Sequence, residues 1–114
     1  MTTVGIGAVS GVGADEVLAA VDAVLPPGSV AVRLATLDVR AAEPGIATAA
    51  DRRGWSLTGY AAAELAQVPV PSPSGRVAAY VGTPSVAEAA ALLGGGTLVV
   101  PKTVVGRVTV AVSA

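Results

Sequence analysis

The order of elements is decided within residues 2–38, "TTVGIGAVSGVGADEVLAAVDAVLPPGSVAVRLATLD". Residues 2–9 are β-branched or small, with two glycines, Gly5 and Gly7, and read as a short strand. From Gly13 to Leu25 the apolar residues Val17, Leu18, Ala20, Val21, Val24 and Leu25 share one helical stripe, while Asp15, Glu16 and Asp22 lie elsewhere. Pro26-Pro27-Gly28 ends that helix. Residues 29–38 read as a second strand. A strand, a crossover helix and a strand in succession predict parallel pairing.

Working outward, 43–55, "EPGIATAADRRGW", reads as a helix with Pro44 in its first turn and Gly54 as its C-terminal stop. A short strand at 56–59 and a helix at 61–67 follow. Residues 68–75, "VPVPSPSG", hold three prolines and read as an extended surface loop. A short helix at 74–80, a helix at 85–93 and strands at 97–101 and 107–112 complete the chain. The last two strands are joined by "KTVVG" (102–106), short enough for a hairpin. The expectation is one α/β domain over 1–114: three layers, α/β/α, around a mixed, mostly parallel sheet of about five strands with a C-terminal hairpin.

Composition narrows the chemistry. Hydrophobic residues make up 53% of the 114 and charged residues 13%, which excludes disorder and demands a packed core. Phe is absent, and Trp55, Tyr60 and Tyr80 are the aromatics, so that core is built from Ala, Val and Leu. Seven basic residues are scattered and the formal charge is −1, which supplies no basic face for nucleic acid. With neither Cys nor His, disulfides, thiolate nucleophiles, Ser-His triads and the common zinc sites are all excluded. No signal peptide or membrane-spanning run is present, and a cytoplasmic location without a membrane partner is expected.

Three places carry candidate function. The glycines of "GIGAVSGVG" do not give G-x-G-x-x-G in any frame, and Asp15 and Glu16 stand where a phosphate would bind, which argues against a dinucleotide site. The turn after the first strand is nonetheless a natural ligand position in an open α/β sheet. Ser85 and Glu88 match the S-x-x-E capping box, whose two side chains satisfy helix N–H groups. Alternatively they form a site, and both hold if the helix N-terminus also receives a ligand carboxylate. Lys102, and likewise Arg40 and Glu43, read either as surface charges or as groups lining the ligand crevice.

The segments "GTPSVAEAAALL" (82–93) and "LVVPKTVVGRVTVAVSA" (98–114) resemble the C-terminal domain shared by the cobalamin-biosynthesis proteins CobE and CbiG. "LATLDVRAAEPGI" (34–46) is similar to the family's Thr-[IL]-Asp-x-[KR]-x-x-Glu-Pro-Gly segment, and "YAAAELAQVPVPSPSGRV" (60–77) to its Glu-Leu…Pro-x-Pro-Ser region. The Gly-Ile-Gly opening agrees. Where many relatives carry a Cys and one or more Arg after that opening, this chain has Ala8, Val9 and Ser10, and Gly75 replaces an acid beside Ser74.

The resemblance implies a role in corrin-ring assembly. It implies a site for a precorrin or cobalt-precorrin tetrapyrrole drawn from Gly5, Gly7, Thr36, Asp38, Arg40, Glu43, Ser74, Ser85, Glu88 and Lys102, with no cofactor and no metal of its own. CbiG-like relatives open the δ-lactone of cobalt-precorrin-5A and release acetaldehyde. In a chain without His or Cys, that chemistry leaves Glu43 and Glu88 as candidate catalytic carboxylates. Because the N-terminal region of CbiG is missing here, the CobE-like reading is expected: a corrinoid-binding protein, with other pathway enzymes as further partners.

Overall fold

A computed structural model describes residues 1–69 and 86–114. Five strands form one sheet in the order β3-β2-β1-β5-β4: β1 (Thr2–Ala8), β2 (Val32–Leu37), β3 (Ser56–Tyr60), β4 (Leu98–Val105) and β5 (Val108–Ser113). β1 pairs in parallel with β2, and β2 with β3; β5 runs antiparallel to both β1 and β4. Four strands therefore point one way and β5 the other. The expected mixed, mostly parallel sheet with a C-terminal hairpin is what the chain forms.

Among the described residues the helices are α1 (Ala14–Val24), α2 (Asp38–Ala41), α3 (Pro44–Arg53), α4 (Ala62–Ala66) and α5 (Val86–Leu93). α3 begins at Pro44 and ends at Gly54, whose φ of 68° is the left-handed C-cap that glycine adopts without strain. One sheet face carries Val4, Ile6, Leu34, Val108, Val110 and Val112 against Val17, Ala20 and Val21 of α1 and Ile46, Ala49 and Ala50 of α3. The other face is made of small residues. Gly5, Ala35 and Ala111 meet the alanines of α5, with Leu37 and Leu65 closing the side.

Gly5 sets the spacing of that second layer. A Cβ there would run into the carbonyl oxygen of Ala87 and lie 2.6 Å from the amide nitrogen of Ala91. Helix and strand thus touch main chain to main chain. Gly7 is different: its Cβ would meet Thr109 and Val86 at 3.7 and 3.9 Å, ordinary contact distances.

Some expectations need correction. β2 begins at Val32, later than position 29, because Ala31 turns the chain with a φ of 50°. The four-residue helix α2 was not anticipated. "KTVVG" is not the hairpin connection, since β4 continues through Pro101 and Lys102 to Val105 and the turn is Gly106-Arg107. Val100 pairs with Val112 and Thr103 with Val110, so β4 spends one extra residue at Pro101-Lys102 in a bulge. Proline is tolerated there because β4 is an edge strand. The Pro-rich loop beyond Pro69, the helix expected at 74–80, Ser74 and Ser85 lie outside the described residues.

Candidate functional site

The strand ends define one edge of the sheet on which functional groups collect. β1, β2, β3 and β4 all finish there, so the 9–13 loop, α2, Tyr60 and the Gly106-Arg107 turn are neighbours along it. Val86 lies over Gly7 and Gly94 lies over Thr3, so α5 runs antiparallel to β1 and starts at this same edge. The N-termini of α1, α3 and α5 therefore all stand at the carboxyl ends of the strands. Each contributes a partial positive charge there, in the usual ligand position of an open α/β sheet.

Glu43, the N-cap of α3, does not cap its own helix. Its Oε1 accepts from the Gly11 amide at 2.7 Å, across 32 residues of sequence, and its Oε2 lies 3.9 Å from an Arg40 guanidinium nitrogen. Gly45 makes this approach feasible. A Cβ on Gly45 would strike the Val12 carbonyl, so Glu43-Pro44-Gly45 seats the start of α3 directly on the loop after β1. Gly11 itself is exposed, with a φ of 84° and, among the described residues, nothing within 4 Å of where a Cβ would stand.

The neighbouring Gly13 amide donates to Glu16 Oε2 at 2.7 Å. Glu16 is gripped in turn by Arg107 at the hairpin turn, at 2.8 Å from Nε to Oε1 and 2.6 Å from Nη2 to Oε2. Arg107 first, and the Gly13 amide second, hold the Glu16 carboxyl well below its ordinary range, at about 2. A carboxylate thus already occupies the helix N-terminus where a dinucleotide phosphate would bind. This agrees with the failed glycine spacing.

The remaining candidates separate into internal and edge groups. Thr36 is buried and its hydroxyl donates to the Ile6 carbonyl at 2.7 Å, tying β2 to β1. Gly5 serves the close approach of α5. Glu88 is fully buried, and its Oε2 accepts from the main-chain N–H of Lys102 at 2.9 Å, inside the β4 bulge. Glu88 and Lys102 do come together, but through the lysine's backbone. Lys102 is three residues short of the strand end, not at it. Asp38 and Arg40 do stand at the edge; Asp38 is exposed and its Oδ1 accepts from the Val39 amide at 2.7 Å. Val9, 49% exposed, directly follows β1, and Val39, 61% exposed, stands in α2 two residues after the end of the adjacent strand β2.

Sequence reasoning missed Arg33. Its guanidinium donates to Thr3 Oγ1 at 2.9 Å and to the Gly94 carbonyl, and Ser113 donates to the Ala91 carbonyl at 2.6 Å. Together they pin the C-terminal end of α5, where cations and donors are favoured. The alternation of Thr3, Gly5 and Gly7 with Val4 and Ile6 was the available signal that one face of β1 receives something at close range.

Among known proteins, the family described as Cobalamin synthesis G C-terminus matches residues 2–113. The chain belongs to that family. Its backbone is similar to that of CobE, a protein from the cobalamin (vitamin B12) biosynthetic pathway, with a TM-score of 0.88 and 31% identity over 99% of this chain and 92% of that one. It also resembles cobalamin biosynthesis protein chiG from Agrobacterium tumefaciens str. C58, at a TM-score of 0.74 and 39% identity over 99% of this chain and 97% of that one. Over 82 residues it is 34% identical to a cobalt-precorrin-5A hydrolase of Priestia megaterium, covering 70% of this chain but only 22% of the hydrolase. The domain is a CobE-like cobalamin-biosynthesis protein of the G C-terminus family. Among the described residues no group of His, Cys, Asp or Glu side chains could hold a metal, and no helix is long and apolar enough to cross a membrane.

Proposed function

We propose that this domain binds a precorrin or cobalt-precorrin intermediate at the carboxyl edge of its sheet during corrin-ring assembly. The observation that carries the reading is the pairing of exposed Val9 and Val39 with Arg40 at the ends of adjacent strands, among three helix N-termini. A precorrin is a wide ring with an apolar face and a rim of acetate and propionate arms. The valines suit the face; the Arg40 guanidinium and the N-termini of α3 and α5 suit the carboxylates, that of α1 being already answered by Glu16. Partnership with other pathway enzymes would follow if the ligand is handed on.

The test is a titration with hydrogenobyrinic acid followed through the macrocycle's own visible band. Trp55 is a poor contact probe, because it precedes β3 and stands at the opposite end of the sheet beneath Arg53, roughly 16 Å away at about 3.3 Å per strand residue. Micromolar binding, weakened about tenfold in Arg40→Ala, is expected. No binding of metal-free or cobalt-containing corrinoids would overturn the reading and leave a partner-binding module.

A second reading, lactone opening on a precorrin, is favoured by the likeness to the cobalt-precorrin-5A hydrolase. Glu43 is the stronger of the two carboxylates for it, because Glu88 is enclosed and engaged with the Lys102 amide. Acetaldehyde release lost in Glu43→Gln is the outcome that would establish it.

A further inference from the structure

We infer that the Gly11 amide and the Arg40 guanidinium form a carboxylate subsite, which Glu43 fills as an internal occupant and which a carboxylate arm of the ligand takes over. The inference rests on the reading of the carboxyl edge as a precorrin site and adds how that site engages an acidic arm. An amide donor and a cation from different segments already converge on one carboxylate: Gly11 N–H donates to Oε1 at 2.7 Å, and the Arg40 guanidinium pairs with Oε2 at 3.9 Å.

The contrast with the helix-start glutamates Glu16 and Glu64 is informative; Glu88, in the first turn of α5, also crosses to another element, but from a fully buried position. Glu16 and Glu64 each reach back to their own helix, accepting from Gly13 at 2.7 Å and Ala61 at 3.2 Å. Glu43 leaves its own helix without a side-chain cap and crosses to the loop of another element. Its departure would therefore cost α3 no capping bond.

Nor would the donors scatter. Gly45 packs against Val12, so the start of α3 and the loop stay in register when only the Glu43 side chain rotates away. Gly11 is exposed, and among the described residues nothing lies within 4 Å of where its Cβ would stand, which leaves room for an incoming carboxylate. Exchange of one carboxylate for another leaves the charge at the donors unchanged. Glu43 then acts as a tethered competitor, and removing it raises the apparent affinity for a free carboxylate. A catalytic base or a direct ligand contact at Glu43 demands the opposite sign.

The test follows the Gly11 amide by NMR in the 15N-labelled chain during titration with sodium propionate, at ionic strength held constant with chloride. In Glu43→Ala the Gly11 resonance shifts saturably, with an apparent affinity about tenfold above the parent's. Glu43→Gln, which keeps the shape but accepts more weakly, falls between and serves if the alanine variant does not fold. Equal responses in all three proteins, no response in the variants, or weaker binding in the variants each overturn the subsite. The same proteins are titrated with hydrogenobyrinic acid. Macrocycle binding with a silent Gly11 removes the subsite and leaves the functional reading. A propionate response without macrocycle binding does the reverse, and the absence of both removes both.

Discussion

The carboxylate of Glu88 and the main-chain N–H of Lys102 meet at 2.9 Å beneath the Pro101-Lys102 bulge of β4, where the strand spends one of its two extra residues. A bulge leaves a main-chain group without its ladder partner, and this one is answered by a buried side chain on α5. Glu88→Ala removes the acceptor and should lower stability by about 1–3 kcal/mol, the usual consequence of stranding a buried donor. Glu88→Gln keeps an acceptor in place and should cost less. Urea denaturation of both variants decides it; equal losses would mean that charge, not the bond to Lys102, is what matters.

Gly5→Ala and Gly7→Ala form a matched pair two residues apart on the same face. The first sets a methyl against the main chain of Ala87 and Ala91, and the second only makes ordinary contact with Thr109 and Val86. Gly5→Ala should therefore destabilise by at least about 1–3 kcal/mol, as overpacking does, while Gly7→Ala stays near the parent. Thermal melts of the two read this directly.

Thr36→Val tests whether Thr36 is internal. Its hydroxyl is buried and bonded to the Ile6 carbonyl. The variant should lose about 1 kcal/mol of stability with its corrinoid affinity unchanged, in contrast to Arg40→Ala, which should lose affinity with little change in stability. Affinity falling with Thr36→Val at unaltered stability would return Thr36 to the ligand site.

Glu16 gives a pH dependence with a definite sign. Its carboxyl sits at about 2 instead of 4.5, chiefly because Arg107 hydrogen bonds to it. A depressed carboxylate stabilises the fold above its ordinary value, and that contribution is lost as pH falls from about 4.5 toward 2. Arg107→Ala should move the Glu16 titration, followed by carboxyl 13C shift, upward toward 4.5, leaving only the residual depression from the Gly13 amide. It should also flatten the acid limb of the stability curve over that window.

Much of the architecture was legible because local chemistry and global fold agree. The α1 stripe, Pro44 and Gly54 each act within a few residues, and a sequence displays such signals openly. β4 was read short because proline ordinarily interrupts a strand, and only its edge position makes Pro101 compatible. The sequence left Arg40 and Glu43 open between surface charges and groups lining the edge after β2, and Asp38 entered only through the family resemblance. The partners were not legible, since Glu43 finds Gly11 across 32 residues and Arg33 finds Gly94 across 61. Lys102 shows the limit most clearly: its side chain drew attention in the sequence, while its backbone makes the bond to Glu88.

The bulge in β4 also bears on how this border of the sheet meets other chains. An eight-residue edge strand with Val99 and Val104 exposed at 51% and 68% is ordinarily a template for a neighbouring chain. Pro101 deletes a donor in its middle, and the register shifts on either side of Val100 bend the strand out of line. Straight cross-chain pairing along this border is interrupted at its centre, so the irregularity that Glu88 secures from within also guards the sheet against fibre growth from without.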